Sequence, residues 1–366
     1  MTGGADGLRG VVAAETVLSD VDGAAGRLII RGFTLDELAG RTSFEQACHL
    51  LLEGMLGGLP DEGGLCARLG AARVQAFAEV AALDAELRGR PPLEAVRALM
   101  ARLPDGDDLE VALRLLASPA VFTPAVIRAA KGLAPIAPDP GIGHAADMLR
   151  MLKGSEPAPA EATALDAYLV TIIDHGLNAS TFAARVAAST LAGLTSAALA
   201  GISALKGPLH GGAPGPVIDM LDGIGAPENA TAWLEAALDR GDRLMGFGHG
   251  VYKVRDPRAD ALKRAVQSLA QASPELPGRL KLAEAVEAAA LDILRRRKPD
   301  RPLNTNVEFY TAVLLEALGF PHEAFTCVFA SGRIAGWIAH AREQVLSGRL
   351  IRPSSHYVGP VPREAA

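Results

Sequence analysis

Aromatic residues are scarce in this chain, at 4% against 49% hydrophobic residues overall. A core short of Phe, Tyr and Trp must be built from Ala, Leu, Val and Ile, which favours close-packed helices over a β-sandwich. Cysteine is equally sparse. Cys48, Cys66 and Cys327 lie too far apart for a disulfide framework or a metal-ligand spacing, so no metal is expected and a reducing cytoplasm is the predicted compartment. A positive charge balance is absent too, and the net charge of −6 argues against a general nucleic-acid binder. The Gly-rich start, Met1 to Gly10, lacks the apolar stretch of a signal peptide, and none is expected. One run, Val186 to Leu205, lacks charge altogether. Its bulk is Ala, Gly, Ser and Thr, with large apolar residues only every three to five positions. That predicts a buried helix whose small residues let neighbours come close, rather than a membrane span.

The 366 residues suffice for one or two sizeable cores. Short strands are expected at Val11 to Leu18 and Arg27 to Arg31, with Asp22-Gly23 as the turn of an antiparallel ribbon. From Thr34 onward the periodicity is helical. Ser43 and Gln46 form a capping-box pattern ahead of Ala47 to Met55. Further helices are expected at Gly64 to Leu87, Pro92 to Arg102 and Leu109 to Leu116. The prolines of Ala134 to Gly143 and of Ser155 to Pro159 predict breaks. A long helix should follow, with Leu165, Leu169, Ile172, Ala179, Phe182 and Val186 on one stripe. After a Gly/Pro loop at Lys206 to Pro216, helices are expected up to Arg240, at Lys281 to Arg297, at Val307 to Leu318 and at Pro321 to Leu346. The Gly-rich loops suggest a cleft where a smaller domain meets a larger one.

Two histidines lie in such loops: His210 in Gly207-Pro208-Leu209-His210-Gly211-Gly212, and His249 in Gly246-Phe247-Gly248-His249-Gly250. Glycine there lets a ligand approach the backbone, and histidine can donate or accept a proton. His210 precedes a helix expected near Pro214 or Pro216, whose N-terminus disfavours a charged imidazole. A neutral ring can still donate a hydrogen bond to a carbonyl oxygen as an enolate forms. His175, three residues after Ile172, reads either as a core histidine or as a ligand-binding one. Arg333 is the lone full charge between Glu323 and Arg342. It needs a partner, either structural or a substrate carboxylate. By default Arg258 is a loop arginine and Arg352 a tail residue. Glu308 fits a capping box with Thr305 as well as it fits a catalytic base. The run Arg295-Arg296-Arg297-Lys298 is either a solvated helix end or a contact to cofactor phosphates.

Taken together, these segments resemble the citrate synthase family. The resemblance is carried by Asp174-His175 with Asn178-Ala179-Ser180-Thr181-Phe182, by Gly207 to Gly212, by Gly246 to Lys253, by Asp256-Pro257-Arg258, by Asn306 to Tyr310, by Phe329 to Trp337 and by Arg352-Pro353-Ser354. Gly32 to Gly54 also looks like the family's N-terminal region. The resemblance implies a mostly α, two-domain helical fold with a short N-terminal β-ribbon. The large domain would comprise residues 1–212 and 320–366, and a smaller inserted domain 213–319. It implies an acyltransferase that condenses acetyl-CoA with oxaloacetate and water to give citrate and CoA. A 2-methylcitrate synthase using propionyl-CoA, or a non-catalytic member binding oxaloacetate or CoA, are the alternatives. His210 would polarise the thioester carbonyl and Glu308 remove the α-proton. His249 would polarise the ketone and then act as an acid. His175, His249, Arg258, Arg333 and Arg352 would hold oxaloacetate, with Arg352 coming from the partner subunit of a homodimer. Lys253, Leu244, Met245, Gly246, Phe247, Gly248 and Asn306 would meet CoA, and no tightly bound cofactor is implied. The chain departs from the family in three places. Glu308 stands where most members have Asp, and Gly176 where Glu usually follows the histidine. Asp107 to Phe122 replaces a recognisable His-Pro-Met segment, and the N-terminal extension of NADH-regulated members is not found.

Overall fold

The computed structural model describes residues 6–8, 10–211, 215–273, 276–301 and 303–360. Met1, Gly212 and Pro214, named above, lie outside them. Near the N-terminus, β1 (Ser19–Asp22) pairs antiparallel with β2 (Arg27–Ile30), in register Ser19 to Ile30, and β3 (Phe33–Thr34) adds to β2. The ribbon is present, but its first strand begins at Ser19 and not within Val11 to Leu18. The turn decides this. Asp22 Oδ1 accepts from the amides of Ala24 and Ala25 at 3.1 and 2.9 Å, so only residues immediately before Asp22 can face 27–30. Val11, Val12 and Val17 are left exposed.

The remaining elements are helical. After α1 (Leu35–Leu38), α2 (Phe44–Leu52) starts with the expected Ser43–Gln46 capping box. The helix expected over 64–87 is three pieces: α3 (Glu62–Phe77), a 3-10 turn at Ala78–Ala82, and α4 (Ala85–Arg88). Then come α5 (Pro92–Met100) and α6 (Leu109–Ala130). The latter runs well past Leu116 and through Pro119 and Pro124. Each proline removes one helix hydrogen bond, but burial of nearly every side chain from Leu109 to Ile127 outweighs that loss. Although α6 is long and apolar enough to cross a membrane, 89% of its most apolar window is buried inside the protein, which makes it a core helix.

Next are α7 (His144–Lys153), α8 (Pro159–Ile172), α9 (Ala179–Ala188) and α10 (Leu194–Leu205). The apolar stripe expected as one helix is therefore interrupted at 173–178, and the uncharged run at 189–193. His175 occupies the first break rather than a helical face. Gly176 there adopts φ +57°, and Asn178 caps α9 through Oδ1 to the amides of Ser180 and Thr181, both at 3.1 Å. At the second break Asp105 reaches across to accept from the amides of Thr195 and Ser196, giving α10 its cap.

The second half comprises α11 (Gly215–Ile224), α12 (Ala230–Asp239), α13 (Pro257–Ala272), α14 (Leu276–Arg297), α15 (Val307–Ala317) and α16 (Phe325–Ser347). Buried on nearly all sides, α16 packs against α6, α8, α9 and α10. Small residues permit this. A Cβ on Gly201 of α10 would lie 2.7 Å from the Trp337 ring, and one on Gly336 would lie 2.5 Å from the Ile173 carbonyl. That close approach of α16 to the end of α8 sets Arg333 beneath the Ile172 carbonyl, and so fixes one wall of the site described next.

Candidate active site

Three helix N-termini converge on a cavity of about 150 Å³ lined by His175, His210, His249, Arg258, Glu308 and Arg333, together with apolar Val251, Val307 and Phe329. Each terminus is capped by a residue of the motifs: Asn178 for α9, Asp256 for α13 and Asn306 for α15. Thr305 is not the cap of α15, contrary to the capping-box reading. Its hydroxyl donates instead to Glu287 at 2.7 Å, and Asn306 Oδ1 accepts from the Glu308 amide at 3.0 Å. Helix N-termini favour anions and disfavour cations.

The histidines are neutral. Burial, with Arg258 and Arg333 nearby, holds His175 well below its usual value. The same causes bring His210 down to about 4, its burial reinforced by Arg333 and Arg258. His249 is also lowered to about 4, by burial and then Arg258. Hydrogen bonds set their tautomers. His249 Nδ1 accepts from the amides of Val251 and Tyr252 at 3.0 and 3.1 Å, which leaves the proton on Nε2. The Arg258 Nη2 group then lies 3.2 Å from a nitrogen that already carries hydrogen, a donor–donor contact that an oxygen ligand between them would relieve. His210 Nε2 lies 2.8 Å from Ser180 Oγ, which also accepts from Trp337 Nε1 at 3.1 Å. Ser180 Oγ also lies 2.8 Å from Asn178 Oδ1, but that oxygen already takes two amides, so the one hydroxyl proton is best used on His210 Nε2. The proton of His210 is then on Nδ1. His175 Nε2 is 3.0 Å from the Tyr252 hydroxyl.

The two arginines differ. Asp256 grips Arg258 through both carboxylate oxygens, at 3.0 and 2.8 Å. Arg333, 1% exposed, donates from Nε to the Ile172 carbonyl at 2.6 Å and lies 4.8 Å over the Phe329 ring. Its Nη2 has no partner among the described residues, and burial lowers its pKa to about 10. Opposite, burial pushes the Glu308 carboxyl up to about 7, against the pull of Arg258. A carboxylate poised at that value is suited to taking a proton from a weak carbon acid.

A second, more polar cleft of about 570 Å³ adjoins the cavity at His249. It is lined by Leu244, Phe247, Arg243, Lys298 and Arg301, among others. The Gly246 amide-carbonyl edge is paired to residues 304–306: Gly248 N donates to Asn304 O at 2.7 Å and Asn306 N to Gly246 O at 2.9 Å. That pairing joins the His249 loop to the start of α15.

Of the expected site residues, His175, His210, His249, Arg258, Glu308, Arg333 and Asn306 come together in the cavity. Leu244, Phe247 and Gly248 line the cleft, while Met245 faces a neighbouring pocket with Trp233. Gly246 packs on Phe309 instead. Lys253 lies exposed outside both, held by its backbone amide to Gly23 O at 2.8 Å. Arg352 is exposed on the extended segment after α16, apart from the cavity in this single chain. Of the basic run, Arg296 and Arg297 pair with acidic residues of α12 and α14, and Lys298 alone faces the cleft. Arg243 and Arg301 had no motif to signal them. Tyr252 and Trp337 stand within the quoted motifs, but the sequence assigned no role to either.

Fold and site define a class: a helical protein whose small cavity gathers neutral histidines, a carboxyl raised to about 7 and buried guanidinium groups. The profile of the citrate synthase C-terminal domain family matches residues 7–354. A putative citrate synthase 2 of Mycobacterium tuberculosis is 40% identical over 365 residues, covering 98% of this chain and 93% of that protein. A citrate synthase of Haloferax volcanii is 37% identical, with 96% and 95% covered. Among solved structures, the citrate synthase of the archaeon Thermoplasma acidophilum, in a ternary complex with carboxymethyl-CoA and oxaloacetate, superposes with a TM-score of 0.85 at 29% identity over 99% of this chain and 98% of that one. The chain belongs to the citrate synthase family.

Proposed function

We propose that this protein condenses acetyl-CoA with oxaloacetate, in the cavity where His210, His249 and Glu308 face one another. The reading rests above all on one observation: a carboxyl raised to about 7 shares a small cavity with two histidines held neutral, each with a defined proton. The Thermoplasma enzyme named above was solved with carboxymethyl-CoA and oxaloacetate, which supports the same pair of ligand classes here.

A thioester α-proton is a very weak acid, so the enolate must be stabilised as it forms. Glu308 takes that proton while His210 Nδ1–H donates to the thioester oxygen. The resulting nucleophilic carbon attacks the oxaloacetate ketone, whose oxygen accepts from His249 Nε2–H and takes up that proton. Water then cleaves the thioester to release CoA. Arg258, Arg333 and His175 hold the dianion, charge-assisted bonds being the strong ones. The polar cleft at Leu244, Phe247 and Gly248 receives CoA, its phosphates meeting Arg243, Lys298 and Arg301. Residues 213–319 form a smaller domain that closes on the rest and excludes water. Arg352 completes the site from the partner subunit of a homodimer, in the cytoplasm.

Free-thiol release from acetyl-CoA and from propionyl-CoA, each with and without oxaloacetate, tests the reading. Oxaloacetate-dependent release is expected with acetyl-CoA at the higher kcat/KM. A preference for propionyl-CoA would make the protein a 2-methylcitrate synthase. No release with either thioester, while oxaloacetate still raises Tm, would make it a binding protein only.

A further inference from the structure

We infer that β1 and its turn act as a splint that holds the His175 and His249 loops in register, with Ser19 and Gly23 as positioning residues for oxaloacetate. The two loops come from distant parts of the sequence, and the His175 and His249 rings lie 5.9 Å apart, centroid to centroid. Each is gripped by one end of the same short strand.

At one end, the Ser19 hydroxyl donates to Asp174 Oδ2 and accepts from the Gly176 amide at 3.0 Å. These are the residues on either side of His175, so one hydroxyl fixes the turn that aims the ring. Gly176 is also pressed by Val21, whose Cγ2 would lie 3.3 Å from an added Cβ. Asp174 is wholly buried. Burial would raise its carboxyl, but His340 and the Ser19 bond outweigh that and hold it low. His340 Nδ1 in turn contacts Arg185 at 3.0 Å, and Arg185 pairs with Glu343 at 2.5 Å. Glu343 then takes the Val17 amide at 2.8 Å, which ties the approach to β1 into the same buried network.

At the other end, roughly 13 Å along the strand, the Gly23 carbonyl accepts from the Lys253 amide at 2.8 Å. A Cβ on Gly23 would lie 2.3 Å from the Val251 carbonyl oxygen, so backbone meets backbone there. Val251 and Tyr252 are the residues whose amides set the His249 tautomer, and Tyr252 also bonds His175. Gly26 makes a similar approach, 2.7 Å from Val254 for an added Cβ. A rigid two-ended contact of this kind positions groups that must share one small substrate, and a displacement of about 1 Å can cost about 100-fold in rate.

The inference rests on the proposed oxaloacetate roles of His175 and His249, so those are measured alongside. Ser19→Ala, Ser19→Thr, Gly23→Ala and His249→Ala are compared with Val96→Ala, a core truncation in α5. Steady-state kinetics are measured in each substrate, and Tm is recorded. Expected for Ser19→Ala and Gly23→Ala is an oxaloacetate KM raised about tenfold and a kcat lowered about tenfold or more, with the KM for acetyl-CoA within about twofold. Ser19→Thr, which keeps the hydroxyl, restores most of the loss. Val96→Ala lowers Tm without moving the oxaloacetate KM. Should Gly23→Ala fail to fold, the Ser19 pair carries the test. The splint is overturned if Ser19→Ala leaves both oxaloacetate parameters unchanged, or if Val96→Ala changes them as much at equal loss of Tm. An unimpaired His249→Ala would overturn the roles given to the site, a separate outcome.

Discussion

Two arginines, Arg73 and Arg333, are each 1% exposed, yet their surroundings are opposite. Arg73 is finished by the protein itself. Its Nε meets Asp147 at 2.8 Å, and its Nη2 donates to the carbonyls of Asp139 and Ile142 at 3.0 and 2.7 Å. Asp147 is likewise filled, taking Arg150 and the Asp139 amide. Among the described residues, Arg333 has one carbonyl, one aromatic face and an Nη2 without a partner. A buried charge without a carboxylate partner is costly, and a fold retains it only where something else repays that cost. The same contrast separates the two regions. Around α3 and α7 the polar groups close on one another and staple the loop 131–143. At the cavity, the Arg333 Nη2 donor meets no partner among the described residues.

The comparison can be broken most sharply at Arg333. Replacing it with Leu should raise the oxaloacetate Kd about 100-fold or more, since hydrogen bonds to charged groups contribute about 1.5–3 kcal/mol each. Tm should hardly fall, because few protein bonds are lost. Calorimetric titration with oxaloacetate reads the first, and thermal melting the second. Arg73→Leu should do the reverse. It leaves buried Asp147 with Arg150 as its one arginine partner and strips the Asp139 and Ile142 carbonyls of their donor, costing about 3–5 kcal/mol of stability, while the oxaloacetate KM of the folded fraction stays put. Equal behaviour of the two variants would dissolve the distinction.

A smaller effect sharpens the cavity side. Glu308 must be ionised to act as a base, and its value is raised to about 7. Below that, kcat should fall roughly tenfold per pH unit. The histidines, lowered to about 4, remain neutral and add no second limb between pH 5 and 7. A kcat profile flat down to pH 5 would contradict this. The smallest expected effect lies at Asp166, which burial and then Glu45 push up to about 7. With a folded value above the unfolded one, its protonated form favours the fold. Stability from this group is full below about pH 4 and is lost as pH rises towards 7. Asp166→Asn should remove that loss and gain about 1–3 kcal/mol at pH 8, with the Phe44 amide still accepted by the side-chain oxygen. Melting at pH 5 and pH 8 checks it.

Much of this was legible in the sequence, because glycine, proline and capping residues act locally. The Gly-His loops, the Ser43 cap and the prolines after Ala134 all mark real features. What escaped were effects set by distant groups. The apolar stripe through Ile172 and Phe182 keeps its period across a break that Gly176 and Asn178 make, and periodicity alone cannot see a break that preserves it. The start of α10 within the uncharged run depends on Asp105, far back in the sequence, supplying the cap. β1 is placed by the Asp22 turn rather than by the valines before it. Within the cavity, the residue types could be read but not their protonation. The tautomer of His249 follows from two backbone amides, and that of His210 from a serine and a tryptophan on separate helices.

The most direct test of the account is Glu308→Gln, assayed for oxaloacetate-dependent thiol release from acetyl-CoA, with Tm recorded with and without oxaloacetate. The account predicts a kcat lowered about 100-fold or more, with the oxaloacetate-induced rise in Tm retained, because the base is removed and the dianion site is left intact. Turnover by Glu308→Gln at the wild-type rate would contradict it.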